Sequence, residues 1–501
     1  MIDDAFIVYR VARNLASGLG PVFNSGERVE AYSDPLFTFL LAPFAAVAPG
    51  NEALPAIARL IGLAAGLGSL LVLATIALPG GSATTALALM LCAASTSMTL
   101  WSVAGLETSL YGFLILAAAR VTLARPRSRS AELGLGLLLA AVVLSRPEGA
   151  MPAAALLLWR LIDRESRHHW AAHARVVSAA LAPSIAYLAF RRLYFGEWVP
   201  NTYFAKHAAL SLAVPRGVAY LGDFLAHNGT AWFFVPGLLA LASARRHPAI
   251  AISVLVLASY LPYVVLVGGD WMDAHRFMAP VFPWVAILLA AGWVSLFAFA
   301  RDALVARGAA RLGPAVVPAG VVLAAAAFAL ANVPNTARVR EAGYVNARPY
   351  YVTMGRLVAE IAQSHWRVAT DDIGAIGWYA RIRVLDLLGL ANPDMAHRRK
   401  SQQDLVADFG PGILIMHYDD STTPSARWRR LKIAGFDTIY VRPRGRVPLP
   451  GSLRVSIRVL PWVEARLAEL PAALDSDLVR LDAYLIQHQP DMKPVPPGLG
   501  R

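Results

Sequence analysis

Long apolar runs alternate with short polar stretches as far as residue 333. The runs cover 54–78, 83–100, 105–123, 131–145, 147–162, 174–194, 230–244, 248–268, 277–299 and 314–333. A helix that crosses the hydrocarbon core needs about 20 apolar residues, so several of these segments are predicted to be short, tilted or paired. The pattern predicts a polytopic α-helical membrane protein with about 10–12 spans.

The pattern changes after Pro334. Residues 334–501 carry 23 of the 46 basic and 17 of the 33 acidic residues. Short β-type runs occur at 366–370, 382–387, 413–417, 437–441 and 453–459, with helical periodicity near 352–364 and 462–474. We therefore predict three parts: a first outward loop over 1–34, a transmembrane helical domain over 35–333 and a soluble α/β domain over 334–501.

The composition supports this division and excludes other classes of protein. The chain is 57% hydrophobic and 16% charged, whereas soluble domains are about 45–50% apolar and about 25% charged. The single cysteine excludes a disulfide framework and a cysteine zinc site. The net charge of +13 is explained by basic membrane loops, and no basic stripe with interleaved aromatic residues indicates nucleic-acid binding.

The basic loops also predict the orientation. They lie at 125–129, 160–175, 245–247 and 301–311, and the positive-inside rule assigns them to the cytoplasm. The outward side is then the periplasmic side of a bacterial inner membrane. It is faced by loops 196–229 and 268–276 and by the tail from 334. Segment 35–48 is too short for a full crossing, so we predict a half-inserted helix that leaves residues 1–34 outside.

The opening of the chain carries adjacent acids, Asp3 and Asp4. Two carboxylates at a membrane surface can share a proton, hold a divalent cation, or let one act as a general base. The alternative is an exposed helix N-terminus, where aspartate interacts favourably with the helix dipole. No certain cofactor follows, and the metal requirement stays open.

Several cations in the predicted outward loops are candidates for binding phosphate. Arg10, Arg13 and Arg28 follow the acidic pair and could bind a phosphate or the headgroups of membrane lipids. Lys206 is the only lysine before residue 400 and lies among aromatic residues. It suits a phosphate or sugar site, or it snorkels from an interfacial aromatic belt.

The loop 268–277 and two acids predicted to lie near the bilayer complete the candidates. Asp270, His275 and Arg276 form either a binding cluster or a charge-balanced turn. Arg146 and Glu148 are expected to pair with each other, while the role of Glu107 stays open. Acids that follow strand-like runs in the tail, at 371–372 and 386, are expected to cap turns or helices.

The stretch from Asp3 to Leu36 resembles the first outward loop of polyprenyl-phosphate-dependent GT-C glycosyltransferases, and most of all the terminal arabinofuranosyltransferase (AftB-like) family. The elements that carry the resemblance are Asp3-Asp4, Tyr9-Arg10, Arg13-Asn14-Leu15, Asn24-Ser25-Gly26-Glu27-Arg28-Val29-Glu30 and Pro35-Leu36. Shorter similar elements lie at 105–108, 146–149, 200–206, 268–270 and 386–390.

The resemblance implies a membrane-embedded fold, a lipid-linked sugar donor and an active site on the outer face. It assigns the catalytic role to Asp3 or Asp4 and places Glu30, Asn201 and Asp270 among the substrate-binding residues. The sugar can be a pentose or a hexose. In the family a transmembrane helix precedes the acidic pair, so a first helix is expected to be missing from this start.

The resulting hypothesis is a glycosyltransferase. It would move a sugar, such as arabinofuranose, from a polyprenyl-phosphate donor to an envelope glycan, lipid or protein. A transporter or flippase of lipid-linked sugars is the first alternative, although no inverted repeats or deeply placed charges favour it. A non-catalytic envelope or motility-associated membrane protein is the second. Unchanged function after Asp3→Asn/Asp4→Asn would favour the non-catalytic protein. Loss of function with no glycosyl transfer but normal binding of the lipid-linked sugar would favour transport.

Overall fold

The computed structural model describes residues 2–206, 208–228, 231–341, 352, 355–356, 358–359, 367–411, 413–419, 437–443 and 453–459. As far as residue 341 the described chain is helical. The helices are α1 (Asp3–Ala16), α2 (Pro35–Val47), α3 (Ala53–Ala74), α4 (Ser82–Ala94), α5 (Thr96–Val103), α6 (Thr108–Leu123), α7 (Arg129–Ser145), α8 (Ala150–Ile162), α9 (Trp170–Phe195), α10 (Asn201–Lys206), α11 (Leu210–His227), α12 (Gly237–Leu241), α13 (Pro248–Val267), α14 (Phe282–Ala306) and α15 (Gly313–Glu341). Single 3₁₀ turns lie at Pro147–Gly149, Ala231–Phe234, Ala279–Val281 and Ala310–Leu312.

Five segments of the described chain are long and apolar enough to cross a membrane: Ala53–Ala74, Trp170–Phe195, Pro248–Val267, Ala279–Ala306 and Ala310–Val339. Two bent pairs of helices raise the number to seven if each pair is one span. This is fewer than the 10–12 predicted spans, because apolar runs such as α6 and α8 end after 16 and 13 residues. The mostly helical, apolar architecture itself is confirmed.

The span Ala279–Ala306 is the most enclosed of the five, with 67% of its apolar window buried. Its residues Trp284, Ile287 and Ala290 are completely buried. It packs against α4, α12, α13 and α15. An all-round apolar helix of this kind is typical of the centre of a bundle, where no face meets water or lipid.

Residues 3–16, which we predicted as part of a loop, form α1. Phe6, Tyr9 and Ala12 lie on its inner face and are almost completely buried. Their i, i+3 spacing places these side chains on one face of a helix. A helix is favoured over a loop because it buries all three against the protein. The segment predicted to insert halfway forms α2, which has 13 residues.

Five strands form a mixed sheet in the C-terminal part: β1 (Arg367–Thr370), β2 (Arg383–Asp386), β3 (Ile413–Asp419), β4 (Asp437–Pro443) and β5 (Leu453–Val459). The strand order is β2-β1-β3-β5-β4. Strand β1 pairs in parallel with β2 and β3, and β5 pairs antiparallel with β3 and β4. Helices α16 (Gly374–Ala380), α17 (Pro393–Ala396) and α18 (Gln402–Phe409) connect the first three strands.

These strands lie where the sequence predicted them. The predicted helix over 462–474 and parts of the one over 352–364 lie outside the described residues. Helix α16 packs directly on α1, with the Tyr9 and Trp378 rings 6.1 Å apart and the Arg13 guanidinium 4.0 Å from the Trp378 ring. The C-terminal part therefore rests on the element that carries the acidic pair.

Candidate active site

Asp3 connects α1 to the C-terminal part. It is 7% exposed, and its two carboxylate oxygens accept hydrogen bonds from the backbone N–H groups of Gly374 and Ala375, both at 2.8 Å. Burial, and after it the neighbouring Asp372 carboxyl, raises the pKa of Asp3 well above its usual value. Both oxygens of this buried carboxylate thus accept a hydrogen bond at the start of α16.

Replacing Asp3 by alanine is expected to loosen this contact. Two buried backbone N–H groups would lose their acceptor, and an unsatisfied buried donor costs about 1–3 kcal/mol. The measurement is the apparent unfolding midpoint of the purified chain in detergent. The matched control is Ser401→Ala. It removes an exposed cap of α18, in which the Asp404 N–H donates to Ser401 Oγ at 3.2 Å, and it is expected to cost less stability. Equal midpoints for both variants would contradict this role.

Asp4 differs from its neighbour because it is open. Its side chain is 22% exposed, and one of its carboxylate oxygens lies 3.8 Å from the ammonium of Lys206 at the end of α10. The Lys206 side chain is 47% exposed. Adjacent residues on a helix point in different directions, which is why Asp3 turns into the protein and Asp4 does not. The structure thus brings together two of the predicted residues, Asp4 and Lys206.

A second cation lies near Asp4 but is buried. Arg276 is 7% exposed, and its Nε lies 2.6 Å from Asp270 Oδ2. Burial opposes the charged form, but Asp270, and after it Glu107 and Asp4, raise the pKa of Arg276. Its guanidinium stands over the Trp101 ring at 5.8 Å. Asp270 and Arg276, predicted as a cluster or a turn, are therefore an enclosed ion pair on the Asp4 side of the bundle.

Behind this pair lies a buried charge network. Arg146 bridges Glu107 and Glu148, with all three side chains at most 8% exposed. The Tyr263 hydroxyl donates to Glu148 at 3.4 Å. The expected pairing of Arg146 with Glu148 is confirmed. Glu107, whose role was left open, provides the second carboxylate that contacts the Arg146 guanidinium.

Asp34 belongs to the same neighbourhood and was not singled out from the sequence. It is 3% exposed, and its Oδ2 has no hydrogen-bond partner among the described residues. Burial, followed by the Glu107 carboxylate, raises the pKa of Asp34 well above its usual value, while Arg146 and Arg276 act in the opposite direction. The only sequence signal was its place immediately before Pro35 at the start of an apolar helix.

Arg10 and Arg13, predicted to bind phosphate, are used within the protein. Arg10 is 5% exposed and donates to the carbonyls of Phe23 (2.7 Å), Gly377 and Ile382 (both 2.8 Å). Arg13 donates to the Trp378 carbonyl at 2.9 Å. Burial lowers the pKa of Arg10 to about 9. These guanidiniums tie the first segment to the C-terminal part, so the phosphate assignment does not fit where they lie.

Glu30 and Arg28 also have protein partners. Glu30 is buried and accepts from Arg191 Nε at 2.6 Å and from the Tyr187 hydroxyl at 2.6 Å. Burial raises the pKa of Glu30, although Arg191 opposes the shift. Arg28 is exposed and lies over the Tyr194 ring at 5.1 Å. Both contacts fasten the first segment to α9, and Glu30 is therefore an anchor of that segment in this structure.

His275 faces away from the candidate site. Its Nε2 lies 2.9 Å from Asp223 Oδ2 on α11, and the rings of Tyr220 and Phe224 pack on it. Ala274 and His275 both have positive φ angles, 54° and 51°, a conformation that non-glycine residues adopt rarely. This tight turn directs His275 to α11 while Arg276 points to Asp270, so His275 does not join the predicted phosphate cluster.

The divalent cation considered from the sequence has no ready ligand set. Among the described residues, no group of three or more His, Cys, Asp or Glu side chains is arranged to hold a metal ion. The described residues place one partly exposed carboxylate, that of Asp4, beside the ammonium of Lys206.

Comparisons with known proteins agree with the resemblance inferred from the sequence. The chain is 29% identical over 328 residues to a terminal β-(1→2)-arabinofuranosyltransferase of Mycobacterium tuberculosis, covering 56% of this chain and 50% of the relative. It is 28% identical over 327 residues to the protein of the same name in Corynebacterium glutamicum, covering 57% and 47%. The chain thus spans about half the length of the curated relatives it matches. The family model "Domain of unknown function (DUF8728)" matches residues 335–453.

Two solved structures share the fold. ArnT from Cupriavidus metallidurans, bound to undecaprenyl phosphate, aligns with a TM-score of 0.56 at 13% identity, over 92% of this chain and 94% of ArnT. The archaeal oligosaccharyltransferase AglB from Archaeoglobus fulgidus, in complex with an inhibitory peptide and a dolichol phosphate, aligns with a TM-score of 0.52 at 11% identity, over 98% and 80%. The chain shares the overall fold of these two proteins, and with its apolar helices it is an integral membrane protein.

Proposed function

We propose that this chain is a membrane glycosyltransferase that transfers a sugar from a polyprenyl-phosphate donor to a hydroxyl of an envelope glycan, lipid or protein. The observation that carries the proposal is the partly exposed Asp4 carboxylate, 3.8 Å from the ammonium of Lys206. Two lines of similarity support it. The curated relatives are named arabinofuranosyltransferases, and the structural neighbours hold polyprenyl phosphates.

The proposed reaction uses the three side chains in different roles. Asp4 accepts the proton of the acceptor hydroxyl, whose oxygen then bonds to the anomeric carbon of the donor sugar. The bond between that carbon and the phosphate oxygen breaks, and the electron pair leaves with the polyprenyl phosphate. Lys206 and Arg276 stabilise the negative charge on the departing phosphate. The products are the glycosylated acceptor and the free lipid phosphate.

The buried network behind the site supports this assignment. Arg276 is held by Asp270, so its guanidinium is positioned before a ligand arrives. Preorganised charges act more strongly in an enclosed site than in water. Asp4 is the catalytic acid in this proposal, because both oxygens of Asp3 already accept buried backbone hydrogen bonds. Lys206 and Arg276 are the donor-phosphate residues, and Asp270 holds Arg276 in place. Arabinofuranose is the sugar that the relatives' names suggest.

The proposed location follows from the charge distribution of the loops. The basic loops at 125–129, 160–175, 245–247 and 301–311 face the cytoplasm, so Asp4, Lys206 and Arg276 lie at the outer face of a bacterial inner membrane. The sheet and its helices extend from the same face as a soluble domain that follows α15, which continues to Glu341 and so passes the boundary predicted at 334. There helix α16 packs on α1 of the first segment.

The test is a chemical analysis of a strain that lacks the protein. We expect the polyprenyl-phosphate-linked sugar to accumulate and one terminal envelope sugar to disappear, and we expect the wild-type chain to restore both. The purified chain in lipid should transfer that sugar from the isolated donor to the acceptor extract. Unchanged glycans would contradict the proposal. Donor movement across vesicle membranes without glycosyl transfer would replace it with a transporter.

A further inference from the structure

We infer that the turn after strand β2 positions Lys206 against Asp4, and that Asn201 is the residue through which it acts. The inference rests on the proposed function, since Lys206 is assigned there to the donor phosphate. Nothing in the sequence links the two regions, because residues 201 and 389 are 188 positions apart. The structure joins them by a short series of hydrogen bonds.

The first part of the series is a rigid turn. Asp386 is 1% exposed, and its carboxylate accepts the backbone N–H groups of Leu388 (2.8 Å), Gly389 (3.0 Å) and Ala391 (2.6 Å). Gly389 has a φ of +91°, and a Cβ there would lie 2.9 Å from the Ala396 nitrogen. The turn therefore requires glycine at this position and has one conformation held by a buried acid.

The second part is the contact with Asn201. Its Nδ2 donates to the carbonyls of Gly389 at 2.7 Å and Leu390 at 2.9 Å, and its backbone N–H donates to the carbonyl of Glu30 at 3.1 Å. Asn201 is 6% exposed. Its amide and backbone thus join the C-terminal turn, the first segment and the start of α10 at one point.

The third part is α10 itself, which has only six residues from Asn201 to Lys206. Halfway along it, the Phe204 ring lies 4.1 Å from the His397 ring, just beyond α17. A six-residue helix has little stability of its own, so its direction depends on these outside contacts. The contacts of Asn201 and Phe204 fix α10, and Lys206 at its far end is thereby presented to Asp4.

Asn201 is accordingly a positioning residue. We expect Asn201→Ala to lower kcat/KM for the lipid-linked donor about tenfold to a hundredfold, because two buried hydrogen bonds are lost. The loss should be mainly in KM for the donor. In a Lys206→Ala background the same substitution should change kcat/KM less than about twofold, because the side chain that it positions is already absent.

The matched control is Asn24→Ala. The Asn24 side chain also joins the first segment to the C-terminal part, by donating to the Val384 carbonyl at 2.8 Å, but it does not contact α10. Its effect should therefore be independent of Lys206. Full additivity of Asn201→Ala with Lys206→Ala would overturn the inference. If Asn201→Ala does not fold, His397→Ala tests the same coupling from the Phe204 contact.

A cross-linking experiment separates this inference from the proposed activity. Cys92 is the only cysteine of the chain and is buried, so the Asp4→Cys/Lys206→Cys double variant carries one reactive pair. A short bifunctional thiol reagent should join the pair rapidly, and more slowly once Asn201→Ala is added. An unchanged cross-linking rate would overturn the inference even if the wild-type chain transfers the sugar. A slower rate, together with no transfer by the wild-type chain, would uphold the positioning and reject the function.

Discussion

Asp4→Asn is expected to lower the rate of glycosyl transfer about 10²- to 10⁴-fold, the contribution of a general base, while leaving the fold intact. The amide is nearly isosteric with the carboxylate but cannot accept the acceptor proton. Because Asp4 is partly exposed and its ion pair with Lys206 is long, at 3.8 Å, its replacement should cost little stability. The measurement is single-turnover transfer from the purified lipid-linked donor, together with the unfolding midpoint.

Two comparisons make this result specific. Asp302→Asn removes an exposed acid whose partner is the neighbouring Arg301, and its transfer rate should equal that of the wild type. Asp3→Ala should lower the unfolding midpoint more than Asp4→Asn does, because Asp3 accepts the two buried N–H groups of α16. Normal transfer by Asp4→Asn would reject Asp4 as the base. Donor binding that survives in this variant would confine the loss to the chemical step.

Arg146→Met is expected to destabilise the protein by about 3–5 kcal/mol, the cost of leaving a buried charge without its partner. Methionine matches much of the volume of the arginine stem but leaves Glu107 and Glu148 facing each other without a cation. Both carboxylates are at most 4% exposed, so water cannot replace the guanidinium. The measurement is chemical unfolding of the chain in detergent, followed by intrinsic tryptophan fluorescence.

The control is an arginine that also contacts two acids, but near the protein surface. Arg125 lies 2.9 Å from both Asp163 and Glu165 and is 28% exposed, so Arg125→Met should cost about 0–1 kcal/mol. The triple variant Arg146→Met/Glu107→Gln/Glu148→Gln should recover much of the lost stability, because the buried charges are then neutral. Equal costs for the two arginines, or no recovery, would contradict a buried charge network.

The larger part of the fold could be predicted from hydrophobic patterning. The apolar runs predicted a helical membrane protein, and the β-type runs coincide with strands β1 to β5. Patterning did not decide residues 3–16, which were assigned to a loop with a helix N-terminus at the acidic pair as the alternative; the structure shows helix α1 there. It also predicted too many spans, because hydropathy does not tell where a run will bend or end.

The candidate site was predicted in outline, through the acidic pair, Lys206 and the 268–277 loop. The roles of individual residues were not. Arg10 and Arg13 resembled phosphate ligands because the sequence does not tell that carbonyls 365 or more positions away occupy them. Asp34 was overlooked because a single acid before a proline is ordinary. Its burial, which leaves Oδ2 without a hydrogen-bond partner among the described residues, is seen only in the structure.

By itself, the sequence determined the apolar helices, the positions of the strands, the charge of each loop and the presence of two adjacent acids at the start. These properties depend on the types of neighbouring residues and on the period of the hydrophobic pattern, and both are local features of the chain. Only the tertiary structure decided which acid is open and which cation stands beside it. Asp3 is engaged by the start of α16, and Asp4 is left facing Lys206, because the C-terminal part folds back onto α1. Contacts between residues far apart in the chain arise only when the whole fold closes, and they set the burial and charge on which the chemistry depends.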